Sequence, residues 1–285
     1  MSKLILVPTD YSKGANHALA YATALAKKEN ASLLLLHAFH VFYNSSDIGH
    51  VVAEDLAITN KRENKNMSSL CDKITKTEKI SCRYLIKQGL AVDVILNVIK
   101  EKNPQLVIMG TKGASWLKEM IVGSNTAKVI EKAKCPVIAV PENATYSGIN
   151  KITYATDYHT SDITALKKII EIARPFNAEI IVLHVSDDEL TPPTEEEMMN
   201  KFRLFAKKRI NYEKIKFTLA HGQYLEKVLQ DHIKKEKPDL LAMSTHYRGI
   251  LDKIFGTSTT QIMAYHSQIP LLAFHHKQES VVFIG

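Results

Sequence analysis

The 285-residue chain predicts an α/β protein made of two tandem parallel-sheet domains, and three observations carry that expectation. Short apolar runs alternate with amphipathic helical patterns in the βαβ rhythm. The runs are continuous stretches of Val, Ile and Leu rather than alternating ones, as strands are when helices cover both faces of a parallel sheet. The whole program is also written twice.

In order, Lys3 to Pro8 reads as a strand, Ser12 to Lys28 as a helix, and Ser32 to Phe39 as a second strand. A longer connection with helical character from Val52 to Thr77 follows. After it come a strand Ser81 to Ile86, a helix Val92 to Lys102, a strand Leu106 to Met109, a helix Asn125 to Lys134 and a strand Val137 to Val140. The stretch Glu142 to Asn150 is polar and turn-rich, and then the program restarts. Val7-Pro8-Thr9-Asp10-Tyr11 returns as Tyr154-Ala155-Thr156-Asp157-Tyr158, and Leu36-His37-Ala38 as Leu183-His184-Val185, both offset by 147. Leu106 to Met109 returns as Leu240 to Met243 and Val137 to Ala139 as Leu271 to Ala273, both offset by 134. The expected domains are 1–143 and 150–285. The change of offset implies a net deletion in the second copy between its second and fourth strands, where loops tolerate length changes.

Composition is that of a globular protein, 45% hydrophobic and 24% charged, which excludes disordered and fibrous classes. The apolar runs stop short of the roughly 18 residues of a membrane-spanning helix, and Met1 leads straight into a strand, so neither a membrane partner nor a signal peptide is expected. Cys71, Cys82 and Cys135 are an odd count, far apart in sequence and without CxxC spacing, which fits a reduced cytoplasmic setting. Charge is uneven: 19 basic against 13 acidic residues up to Asn143, a net +6, and 18 against 17 after it, a net +1. The lysines are scattered along helix patterns without basic blocks, so a solvated surface explains them better than nucleic acid.

Gly110-Thr-Lys-Gly113, nine residues, then Gly123-Ser124 leads from the fourth strand into a helix beginning Asn125-Thr126. Glycines let a backbone approach an anion closely, a helix N-terminus presents free N–H groups, and Lys112, Ser124 and Thr126 add a charge and hydroxyl donors. On spacing alone, Gly110 and Gly113 read equally well as turn formers and Ser124 as a helix cap.

Taken together, Pro8-Thr9-Asp10 after the first strand, His37-Ala38 after the second and Gly-x-x-Gly-x9-Gly-Ser after the fourth resemble the ATP-binding branch of the universal stress protein family, over both halves. The resemblance implies five-stranded, doubly wound, Rossmann-like domains of the adenine nucleotide alpha hydrolase type, and ATP, with Mg²⁺ as a companion ion, in the first. Asp10 would contact adenosine, beside Pro8 and Thr9, and the Ala38 backbone would read the adenine edge. Met109 and Gly110 would flank the ribose, while Lys112, Gly113, Gly123, Ser124, Asn125 and Thr126 would surround the phosphates. Lys112 stands where many members carry His, and Asn125 where many carry Val. The resemblance also implies that Val137 to Val140 and Leu271 to Phe274 pair as a pseudo-dimer within one chain, with a homodimer as a further option. All three segments lie at carboxyl ends of parallel strands, where open α/β sheets bind ligands. Neither a P-loop nor a strand-linked GxGxxG competes.

The second copy departs from the pattern. Ser244-Thr245-His246-Tyr247 replaces the first two glycines, and eight residues rather than nine separate Tyr247 from Gly256. ATP binding is therefore expected in the first domain only. Asp157, His159, His221 and His246 would share one sheet edge there, a donor set suited to zinc. Because His37 and His184 recur at matching strand positions and look structural, no metal site is expected. Met198, Met199, Phe202 and Phe205 read as a core stripe, and Glu195 to Glu197 as a helix start whose acids need no partner.

Three function classes follow: an ATP-binding regulatory or protective module of the stress response, a slow ATPase or phosphotransfer enzyme, and a scaffold whose second domain binds a metal or other small ligand. Only Asp10, Lys112 and Ser124 could serve an enzyme, with no activated pair, so no catalytic residue is assigned and the first class is favoured.

Overall fold

A computed structural model describes residues 3–40, 50–111, 124–156, 158, 161–186, 192–244 and 269–274. They fall into two compact units that divide between Glu142 and Asn143. In the first, β1 (Leu4–Pro8), α1 (Lys13–Glu29), β2 (Ser32–Phe39), α2 (His50–Glu78), β3 (Cys82–Gln88), α3 (Ala91–Lys102), β4 (Leu106–Gly110), α4 (Ser124–Lys132) and β5 (Val137–Val140) alternate in sequence. The strands are all parallel, in the order β3-β2-β1-β4-β5. In the second, β6 (Lys151–Ala155), α5 (Asp162–Ala173), β7 (Glu179–Ser186), α6 (Pro192–Lys207), β8 (Ile215–His221), α7 (Leu225–Glu236), β9 (Leu240–Ser244) and β10 (Leu271–Phe274) repeat the arrangement as β8-β7-β6-β9-β10, again parallel.

Each unit is thus doubly wound, and its order reverses between the first and fourth strands, the switch point that opens a crevice at the carboxyl edge. The continuous apolar runs are explained by burial on both faces: Leu33, Leu34, Leu35 and Leu36 of β2 and Val137 to Val140 of β5 are all buried. Helix ends follow local chemistry. Ser12 caps α1 by accepting from the Ala15 N–H at 3.2 Å, and Asn30 ends the helix in the left-handed conformation that Asn tolerates. Phe202 lies in the second core, while Met198, Met199 and Phe205 of the expected stripe are only half-buried.

His232 of α7 is a buried polar group, its Nε2 3.0 Å from the Thr153 hydroxyl. Burial, and then the nearby Lys151, Lys235 and Lys216, hold its pKa below the ordinary value, against an opposing pull from Glu236. The unfolded chain therefore takes up this proton first, near pH 6.5. The contribution of His232 is neutral above that point and is lost as pH falls below it, because the unfolded state binds more protons there. Denaturant titrations across that window should show wild type losing more stability than His232→Gln, which keeps a polar partner for Thr153 without the titration. Parallel losses would remove His232 from the acid limb.

Candidate functional site

In the first unit, Thr9 and Asp10 leave β1, Ala38 nears the end of β2, and Met109 and Gly110 end β4, so the structure brings these predicted residues to neighbouring carboxyl ends. Thr9 is held to β2 by its N–H donating to the Leu36 carbonyl at 2.8 Å. The turn into α1 is shaped by two short side chains. The Thr9 hydroxyl accepts from the Tyr11 N–H and Asp10 Oδ1 from the Ser12 N–H, each at 3.1 Å. Pro8 and Asp10 are half-buried and Thr9 is buried.

Tyr11 pays for this turn with φ +63°, and its counterpart Tyr158 repeats the geometry at φ +61°. A bulky residue costs about 1–2 kcal/mol in the left-handed region. The offset comes from ring packing. Tyr11 lies over His37 with centroids 4.8 Å apart, and Tyr158 stacks on His184 at 4.4 Å.

Both histidines do the same structural task. His37 Nδ1 is 2.8 Å from the Thr9 carbonyl and His184 Nδ1 is 2.7 Å from that of Thr156, a contact that ties the first strand's exit to the second strand. Their other nitrogens face buried acids, Glu63 at 3.6 Å and Glu195 at 3.2 Å. Glu195 therefore does have a partner, contrary to its reading as a dipole-favoured start: α6 carries it inward onto β7. Burial alone would push the Glu63 carboxyl up, but the Tyr11 hydroxyl, Arg62 and the charge of His37 hold it below the usual carboxylate range. Tyr11 is pushed well up by burial and by Glu63.

Gly110 owes its absence of a side chain to the fold. A Cβ there would lie 2.6 Å from the Gly14 carbonyl carbon, 2.8 Å from its oxygen and 2.9 Å from the Ala15 nitrogen, all backbone of α1. Its carbonyl accepts from the buried Thr126 hydroxyl at 2.8 Å, which pins the first turn of α4 to the end of β4. Ser124 opens α4, Asn125 is exposed beside it, and the first turn contains no acidic residue. Lys112, Gly113 and Gly123 lie outside the described residues.

In the second unit, Ser244 occupies the place of Gly110, and its buried hydroxyl has no hydrogen-bond partner among the described residues. The Ala15 position is taken by Asp162, which is 1% exposed and accepts from Tyr154 Oη at 2.7 Å and Thr156 Oγ1 at 2.6 Å. This buried polar cluster was missed from sequence. Its signal was there, in Tyr for Val7 and Asp for Ala15 at matching repeat positions. Of the zinc candidates only His221 is described, exposed at the end of β8, while Asp157, His159 and His246 lie outside the described residues. No helix among the described residues is long and apolar enough to cross a membrane.

The sequence profile of the universal stress protein family matches the chain twice, over residues 1–141 and 148–275. Universal stress protein YxiE of Bacillus subtilis is 33% identical over 149 residues, 49% of this chain and 99% of the relative. Universal stress protein MJ0577 of Methanocaldococcus jannaschii is 28% identical over 154 residues, 49% of this chain and 95% of that one. A solved universal stress protein from Archaeoglobus fulgidus shares the fold over nearly the full length, at TM-score 0.73 and 18% identity with 98% of each chain covered. With both halves matched by one profile and single-unit relatives each spanning one half, the chain belongs to the universal stress protein family, as a tandem member.

Proposed function

We propose that the chain is a regulatory or protective protein of the stress response that binds one adenine nucleotide, ATP by preference, in its first unit. The observation that carries this reading is the convergence of Thr9-Asp10, Ala38 and Met109-Gly110 on adjacent carboxyl ends at the β1/β4 switch point, directly before the glycine motif. The donor chemistry fits such a ligand. Asp10 can accept from ribose or base, the half-buried Ala38 backbone can pair with an adenine edge, and the acid-free first turn of α4 suits phosphate. Lys112, Gly113, Gly123, Ser124, Asn125 and Thr126 complete the phosphate side of the proposal, with Mg²⁺ as the companion ion.

The second unit is proposed to take no ATP. Ser244 and Asp162 put buried polar side chains where the first unit has Gly110 and Ala15, and Tyr247 replaces Gly113. Calorimetric titration of the full chain with ATP should therefore give one site, and mass spectrometry of freshly purified, denatured protein should identify an adenine nucleotide. Gly113→Val is expected to lower affinity at least tenfold, because glycine lets a backbone approach phosphate closely and valine does not, and a melting curve without ligand checks that the fold is kept. Two equivalent sites would overturn the asymmetry, and undiminished affinity in the variant would remove the glycine loop. Phosphate release over time separates a binding protein from a slow ATPase.

A further inference from the structure

The helix α2 and the edge strand β3 bring two of the three cysteines together. Cys71 Sγ lies 2.6 Å from Cys82 Sγ, although neither is in a disulfide. They are 11 residues apart, one buried on the last turns of α2 and the other half-buried as the first residue of β3. A disulfide needs its sulfurs at about 2.05 Å, so the two sulfurs stand within roughly half an ångström of bonding distance.

Packing does not demand thiols here. Cys82 pairs with Leu33 in the β2–β3 register, and at the corresponding place in the second unit Ile215 pairs with Ile180. All three cysteines lie in the first unit, and the repeat builds the same sheet edge without any. The geometry points to Cys71 and Cys82 as a reversible dithiol–disulfide pair, an oxidation site specific to the first unit whose oxidant is a hydroperoxide. The inference is independent of the nucleotide reading.

The thiolate of Cys82, the less buried of the two residues, attacks one peroxide oxygen, the O–O bond breaks, and Cys82 becomes a sulfenic acid, the leaving oxygen taking up the proton the thiol gave up and departing as water or alcohol. Cys71 Sγ then attacks the Cys82 sulfur, the S–O bond breaks, the hydroxyl leaves as water with the Cys71 proton, and the S–S bond forms. Two thiols lose two electrons and two protons, and the peroxide gains both. Burial pushes both thiols up, so the attacking thiolate is the scarce species and the test allows hours of exposure.

Closure would clamp α2 to β3. Glu63, which faces His37, lies about two turns earlier on the same helix, so the clamp acts on an element that reaches the carboxyl edge. The test uses the full-length protein incubated with hydrogen peroxide for hours, then alkylated under denaturing conditions and mapped by peptide mass spectrometry. The expected result is a crosslinked Cys71–Cys82 peptide lacking the mass of two hydrogens, Cys135 still alkylated, and full reversal by dithiothreitol. In Cys71→Ser, peroxide should instead add oxygen to Cys82, because the resolving thiol is gone. Oxygen addition to Cys82 in the wild type, a disulfide through Cys135, intermolecular dimers through Cys82, or two thiols that both stay alkylatable would each overturn the proposal. The wild-type map decides the matter even if the variant folds poorly.

Discussion

Gly110→Ala should destabilise the first unit by about 1–3 kcal/mol, the usual cost of forcing one methyl into a filled space. Calorimetry should record this as a drop of several degrees in its melting transition, with no ligand present. The new Cβ would meet the Gly14 carbonyl carbon at 2.6 Å and the Ala15 nitrogen at 2.9 Å, and neither is a side chain that can swing away. The helix itself would have to move. α1 is fixed through buried Ala15, Ala18, Tyr21, Ala22 and Leu25, so that movement would open the core under it. Ser244→Ala in the second unit is the matched control. There the residue already carries a Cβ, and its buried hydroxyl lacks a hydrogen-bond partner among the described residues, so truncation should be neutral or slightly stabilising. An unchanged transition in Gly110→Ala would mean that α1 yields freely and that the glycine serves something other than the contact with Gly14.

The strands were legible because burial on both faces leaves a continuous apolar run: Val137–Val140 is the segment that the pattern marks, and Leu106–Gly110 differs by one residue. Helix boundaries moved by a residue or two where caps rather than hydrophobic period decide, as with Lys13–Glu29 after the Ser12 cap. That Thr9, Asp10, Ala38 and Gly110 lie at carboxyl ends of parallel strands was legible from the strand–helix alternation. What sequence did not yield depends on contacts between elements far apart in the chain. The reason for Gly110 is the first turn of α1, and the use of Glu195 is a histidine on the preceding strand. The meeting of Cys71 and Cys82 depends on how α2 returns to β3. Spacing rules see residues on one element, and each of these pairs spans two.

Asp162→Ala should cost the second unit about 1–3 kcal/mol for each hydroxyl that it leaves without an acceptor. Among the described residues two are at stake, Tyr154 Oη at 2.7 Å and Thr156 Oγ1 at 2.6 Å, on residues 0% and 3% exposed, so water cannot readily replace the carboxyl group. The loss should reach further than two bonds. The Thr156 hydroxyl also accepts from the Tyr158 N–H at 3.0 Å, and the Thr156 carbonyl holds His184, so Asp162 anchors the turn that seats the Tyr158–His184–Glu195 array. The first unit needs no such acid, because Ser12 caps α1 directly, whereas Ser161 makes no side-chain cap at α5. A double-mutant cycle isolates the effect: Tyr154→Phe removes one stranded hydroxyl, so in its background Asp162→Ala should cost measurably less than in the wild type. Asp162→Asn keeps one accepting oxygen and should fall between the two. Additive losses in the cycle would show that Tyr154 and Asp162 contribute separately, and that the buried cluster is not what holds the β6–α5 turn in place.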